Sequence, residues 1–208
     1  MLLFVSAYTE GERECLKIKT LNGKQNGTIS IWNGYAALRM HKAESYISAA
    51  ALLYQDEIHG SLLEQIDKVM ELVYLKYMKA KIRYDGIRRV ERYFVPDDTL
   101  REAILNAICH KQYQSGIPIQ ISVYEDMLYV ANIGRLPENW TLDDLMRKHA
   151  SVPFNPRIAY VFYLAGFIES WGRGIEKICS VCKAEGLPKP EYAINPDDIM
   201  GTSKNCSF

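Results

Sequence analysis

No apolar run in the chain approaches the ~20 residues needed to cross a bilayer, and no basic stretch precedes the short apolar start MLLFVSAYTEGERE. Neither a membrane span nor a signal peptide is therefore expected. An excess of one charge is also missing: 25 Lys and Arg stand against 25 Asp and Glu, so the overall balance does not single out nucleic acid, acidic substrates or membranes as partners. Cysteines are few and odd in number. Cys15, Cys109, Cys179, Cys182 and Cys206 lack the spacing of a disulfide framework, which fits a reducing compartment, and a cytoplasmic protein is expected. Cys179 and Cys182 form a C-x-x-C with no second pair to complete a zinc site, and their segment reads as a helix end. No G-x-x-x-x-G-K-[ST] occurs, so a helicase motor built on that phosphate loop is excluded. Internal repeats and low-complexity tracts are absent too.

What is present suits one large domain or slightly more. The chain has 208 residues, 48% of them apolar, enough to bury a core without disulfides or metal. Residues 1–58 mix β-like runs (LLFVSAY, ECLKIKT, TISIW) with Asn-Gly turn signals. From Gly60, helical spacing of Leu62, Leu63, Ile66, Val69, Met70, Val73 and Tyr77 predicts one long amphipathic helix to Ile82, a spacer or docking element. Lys76, Lys79, Lys81, Arg83, Arg88, Arg89 and Arg92 then face only Asp85 and Glu91; a solvated helix end is the preferred reading over a nucleic-acid contact. After Pro96 come a helix, an antiparallel hairpin over GIPIQISVYEDMLYVANIG turning at Glu125-Asp126, a short helix in NWTLDDLMRKH, a helix ending near Gly166, and a glycine turn opening a last helix. LPKPEYAINPDD closes the ordered part, and the tail DDIMGTSKNCSF shows no periodic pattern, so it is expected to be mobile or to pack on a partner. Helices mixed with an antiparallel sheet predict an α+β fold in two layers.

The segment REAILNAICHKQY carries the chemistry. At 100° per residue Glu102, Asn106 and His110 share one helix face, opposite Leu100, Ile104 and Ala107. Such a row is either a solvated face or a site, and Thr99 with Glu102 also matches a capping box. Asn132-Ile133-Gly134 falls where a strand ends, and Gly172-Arg173-Gly174 stands just before a helix, where backbone N–H groups can receive phosphate oxygens.

A helix with a carboxylate and an amide one turn apart, a strand with an N-x-G turn, and G-x-G opening a helix follow the order of parts in the ATP-binding domain of gyrase, heat-shock chaperone, histidine kinase and MutL proteins. LREAILNAICHKQY, PIQISVYEDMLYVANIGRLPE and FNPRIAYVFYLAGFIESWGRGIEKI resemble the C-terminal ATPase-like domain of RecG-like transcriptional regulators that carry a Schlafen/AlbA-type N-terminal domain. The resemblance implies a two-layer sandwich of the gyrase and histidine-kinase type at 96–190, a linker at 59–95, a remnant of the Schlafen/AlbA-type domain at 1–58 and a tail at 191–208. It implies ATP and magnesium as ligands: Glu102 for the attacking water, Asn106 for the metal, Asn132 and Gly134 beside the base, and Gly172, Arg173 and Gly174 with His110 near the phosphates. In the family an Asp, followed by G-x-G, occupies the place of Asn132, and the helix ends His-Arg-Asp-Tyr where this chain has His110-Lys111-Gln112-Tyr113. Hydrolysis is accordingly expected to be weak or absent. A homo-oligomer and DNA contact through the truncated N-terminal domain are the implied partners. A degenerate fold that dimerises or docks through the 60–82 helix is the alternative.

Overall fold

The computed structural model describes residues 3–10, 13–20, 26–32, 38–43, 52–124, 127–147, 149–150, 152–168, 172–194 and 198–204. The Glu125-Asp126 turn lies outside them. Strands β1 (Leu3–Glu10), β2 (Arg13–Thr20) and β3 (Asn26–Trp32) pair antiparallel in a sheet of their own. The main sheet has six strands: β4 (Leu38–Ala43), β5 (Leu52–Ile58), β8 (Ile119–Val123), β9 (Met127–Ile133), β10 (Glu191–Ile194) and β11 (Asp198–Lys204), in the order β10-β11-β9-β8-β4-β5. All neighbours are antiparallel except β4 and β8, which run parallel from Leu38 opposite Ile119 to Lys42 opposite Val123. Five helices accompany it: α1 (Leu62–Leu72), α2 (Asp97–His110), α3 (Leu142–Met146), α4 (Pro156–Leu164) and α5 (Gly174–Ala184). The result is an α+β fold with a mixed sheet and one continuous core.

Two boundaries differ from the sequence reading. Strands β4 and β5 lie within residues 1–58 yet belong to the main sheet, since β4 supplies the parallel partner that β8 needs on its open side. Residues 191–194 and 198–204 form β10 and β11, with β11 paired to β9 from Asp198 opposite Ile133 to Lys204 opposite Met127. A strand held mainly by backbone ladder bonds needs no periodic side-chain signature, which is why this segment read as a tail.

The long helix is also shorter than its periodicity predicted. Helix α1 starts at a capping box, with Glu64 N donating to Ser61 Oγ and Ser61 N donating to Glu64 Oε2. After Leu72 it widens into one π-helical turn, Val73–Tyr77, and stops at Met78, which is extended. Leu62, Ile66, Val69, Val73 and Tyr77 are all buried in the common core, so the apolar face proposed for docking is already covered. Asp56 on β5 accepts hydrogen bonds from Tyr77 Oη and from Lys76 Nζ (2.6 Å), clamping the end of the helix to the sheet edge. Ser61→Ala is expected to cost about 1 kcal/mol, the usual value of a lost N-cap, read as a lower urea midpoint with an unchanged slope.

Beyond Met78 the basic stretch is not a helix end. Lys81–Asp85 (β6) and Arg88–Arg92 (β7) form a two-stranded sheet around Gly86, which has φ +61°. A turn with positive φ favours glycine, and with Asp85 paired to Arg88 the two-residue loop is Gly86-Ile87, with the glycine first.

Candidate functional site

Helix α2 begins at Asp97 after Pro96, which has no capping side chain; Asp97 and Asp98 in the first turn complement the helix dipole instead. Thr99 is thus inside the helix, buried, with its Oγ1 3.9 Å from Cys182 Sγ on α5. The capping box expected from Thr99 and Glu102 does not form. Leu100, Ile104 and Ala107 are buried, while Glu102, Asn106 and His110 are half-buried on the other face. That polar face is not surface: all three line a cavity of about 150 Å³ together with Asn132, Gly172 and Gly174.

The chain ends α2 in a way that fixes this arrangement. Asn155 caps it, donating from its backbone N to Cys109 O (2.9 Å) and from Nδ2 to Cys109 O (3.0 Å) and Lys111 O (2.7 Å). Gln112 N donates to Ile133 O (2.7 Å), which ties the helix end to the end of β9. Gly134 follows, and a Cβ there would lie 2.6 Å from His110 O and 2.8 Å from Asn132 Nδ2. The glycine is required by close approach of the helix end, whatever else it does. Asn132 is buried, with Nδ2 donating to Ile133 O at 3.3 Å.

Gly172 and Gly174 serve different needs. Gly172 has φ +86°, so it supplies the left-handed turn that aims the chain into α5. Gly174, the first residue of α5, sits against α2: a Cβ there would strike Glu102 Oε1 and meet Asn106 Nδ2 at 2.7 Å. Asn106 Nδ2 in turn lies 3.4 Å from Glu102 Oε1. The N-cap residue Arg173 makes no side-chain cap hydrogen bond, and the first turn of α5 meets the carboxylate and amide of α2 at Gly174. Arg173 between the glycines is exposed. It lines a second cavity of about 370 Å³ with Lys177, Glu176 and Ser180, and this cavity shares Glu102, Ile168 and Gly174 with the first.

The first cavity is mainly apolar, walled by Leu100, Ala103, Leu128, Val130, Leu136 and Ile175. Trp140, His149 and Tyr192 are among the lining residues that were not singled out in the sequence. Trp140 and His149 flank α3, their rings 4.7 Å apart, with His149 Nδ1 2.8 Å from Arg147 O. Tyr192 enters from β10, inside the segment read as a tail. The only local signal for the first two was Thr141, which caps α3 through a box with Asp144.

Burial governs the titrating groups here. It lowers the His110 pKa from 6.5, with the nearby His149 charge adding to the effect, so the imidazole is neutral near pH 7. Burial pushes the Cys109 thiol up to about 12, helped by the Glu102 carboxylate, which leaves it unreactive. Tyr192 is raised for the same two reasons, with the neighbouring cysteines contributing. Among the described residues no cluster of three or more His, Cys, Asp or Glu could hold a metal, and Cys179 and Cys182 are free. No helix there is long and apolar enough to cross a membrane.

Residues 116–200 match the family model described as "Putative ATP-dependent DNA helicase recG C-terminal". The C-terminal part is thus ATPase-like. The fold also resembles a crystal structure of the DIP2311 protein from Corynebacterium diphtheriae, with 19% identity and a TM-score of 0.73. That likeness covers 84% of this chain but 36% of the other, so the chain spans little more than a third of the protein whose fold it shares. No curated protein matches. Neither comparison bears on the Schlafen/AlbA-type domain expected at residues 1–58.

Proposed function

We propose that the α2–α5 cavity binds a nucleoside triphosphate, with ATP the reading favoured by the ATPase-like match over residues 116–200. The observation that carries this is the convergence of Glu102 and Asn106 on Gly174 at an uncapped helix N-terminus. An uncapped N-terminus offers N–H donors and a partial positive charge to an anion. The apolar cavity suits a base, and Asn132 offers its edge both an acceptor and a donor. The second cavity, with Arg173 and Lys177, suits phosphates.

The donor set fits magnesium in the manner usual for triphosphate sites, one or two protein oxygens with phosphate and water completing the shell. Asn106 would be the ligand, with Glu102 beside it; bound there, the ion would neutralise phosphate charge. Glu102 is positioned to hold a water near the phosphates, while neutral His110 donates or accepts one hydrogen bond without adding charge. Hydrolysis is weak or absent in this reading, because the helix end carries Lys111 and Gln112 and the base edge meets an amide.

Titrating the protein with Mg·ATP by calorimetry tests the reading. Saturable heat is expected at or below millimolar ATP, with Asn106→Ala weakening binding at least tenfold and Glu102→Gln retaining it. Absence of heat and of any thermal shift at millimolar Mg·ATP would reject the proposal.

A further inference from the structure

The β6–β7 hairpin stands apart from everything described above. It pairs with no other strand among the described residues, and every position in its two strands is exposed except half-buried Val90. Ile87 at the turn is 100% exposed, Tyr84 67% and Ile82 54%. A two-stranded ribbon alone in water is marginally stable, so a projecting one of this kind calls for a partner that holds it.

The register says which chemistry that partner has. Residues directly opposite in an antiparallel pair share a face. Lys81 lies opposite Arg92, Arg83 opposite Val90 and Asp85 opposite Arg88, so one face gathers four cations and a single carboxylate. The other face pairs Ile82 with Glu91 and Tyr84 with Arg89, and there Arg89 and Glu91 close an ion pair at 2.6 Å. At the base Arg92 has Glu185 at 4.0 Å. Toward the tip Arg83 and Arg88 form no ion pair with any described residue. Charge has thus been sorted: the pair that neutralises itself sits beside the apolar side chains, and the surplus is collected on the opposite face.

We propose that this hairpin is a nucleic-acid arm whose cationic face lies along the phosphates of a duplex. A two-stranded ribbon has the width of a major groove, and closely spaced arginines on a rigid ladder can bind successive phosphates with bidentate geometry. The chain as a whole is neutral, so attraction to the duplex is local to this arm and orients it tip first. Contacts of this kind position the protein without reading sequence.

The test uses the whole chain and a fluorescent duplex of about 24 base pairs, with anisotropy measured at several salt concentrations. Wild type is expected to bind in the range typical of non-specific contacts, about 1–100 μM, with a log–log salt slope near −3 for about three or four phosphates neutralised. Arg83→Gln with Arg88→Gln should weaken binding at least tenfold at low salt and flatten the slope by roughly 2. Lys183→Gln, outside the hairpin, should leave both unchanged. All three sites are exposed, and circular dichroism melting confirms that each variant folds. The proposal is overturned if wild type does not bind duplex at 20 mM salt, or if the double variant matches it. It is equally overturned if light scattering shows a dimer that Ile87→Asp dissociates while duplex binding persists, for then the hairpin is a contact between copies. Mg·ATP binding is measured in parallel, so failure of the arm and failure of the nucleotide site are read separately.

Discussion

Gly174→Val is expected to abolish Mg·ATP binding and to destabilise the protein by about 1–3 kcal/mol, the usual cost of forcing extra atoms into a packed contact. The added Cβ has no free volume: it strikes Glu102 Oε1 and lies 2.7 Å from Asn106 Nδ2. Both neighbours are the ends of side chains and can swing away, but their backbone on α2 stays, because the far end of that helix is fixed to Asn155 and β9. Either α5 shifts away from α2, or the carboxylate and amide turn aside, and both outcomes remove the convergence on which binding depends. Calorimetry with Mg·ATP and urea denaturation read the two effects independently. Arg173→Gln is the comparison: its side chain is exposed, so stability should stay within about 0.5 kcal/mol while affinity falls. A Gly174→Val protein with wild-type affinity for Mg·ATP would show that the meeting of α2 and α5 at this point is not where the nucleotide binds.

The second large effect runs in the opposite direction. Lys111→Met should stabilise the protein by about 1–4 kcal/mol, the range seen when buried charges are exchanged for apolar side chains of similar size. Lys111 is 1% exposed and its Nζ has no hydrogen-bond partner; its nearest compensation is the ring of Tyr113, 4.7 Å away. Cation–π attraction offsets only part of the cost of removing an ammonium from water. Methionine keeps the unbranched reach of lysine without the charge. Burial lowers the Lys111 pKa from 10.5, so between the folded value and 10.5 the unfolded chain binds more protons and stability rises with pH. The variant should lack that rise. His110, lowered from 6.5 chiefly by burial, acts likewise at acid pH: both proteins should lose stability as pH falls through 6.5. Urea midpoints between pH 5.5 and 10 check these signs. A Lys111→Met protein less stable at pH 7 would mean that the ammonium has compensation beyond Tyr113.

The polar row of α2 was legible because helical spacing alone places Glu102, Asn106 and His110 on one face, and Gly172 and Gly174 stood out because backbone N–H groups just before a helix can receive phosphate oxygens. What spacing could not say was whether that face met solvent or another helix; the answer rests on α5, some 70 residues further along. Tyr192 and the strands β10 and β11 were illegible for a related reason, since their order comes from a ladder partner distant in sequence. The β6–β7 hairpin is a different case. Gly86 was not weighed as a turn, and the strong periodicity before it led the helix to be extended too far. The π-helical turn at Val73–Tyr77 is where that register is lost, and burial of Tyr77 against Asp56 is what the apparent continuation was for.

The seam between β4 and β8 bears on how the protein is made. Strand β4 comes from residues 38–43 and β11 from 198–204, yet both belong to a single sheet built outward from the β8–β9 pair. A domain dominated by such distant pairings folds slowly, because the entropy of closing long loops is lost before the contacts repay it. During synthesis the β4–β5 pair must wait, with the second edge of β4 open, until about sixty-five further residues have left the ribosome, and the sheet is not complete until β11 emerges. For that interval the nascent chain carries unpaired strand edges of the kind chaperones recognise and aggregates recruit.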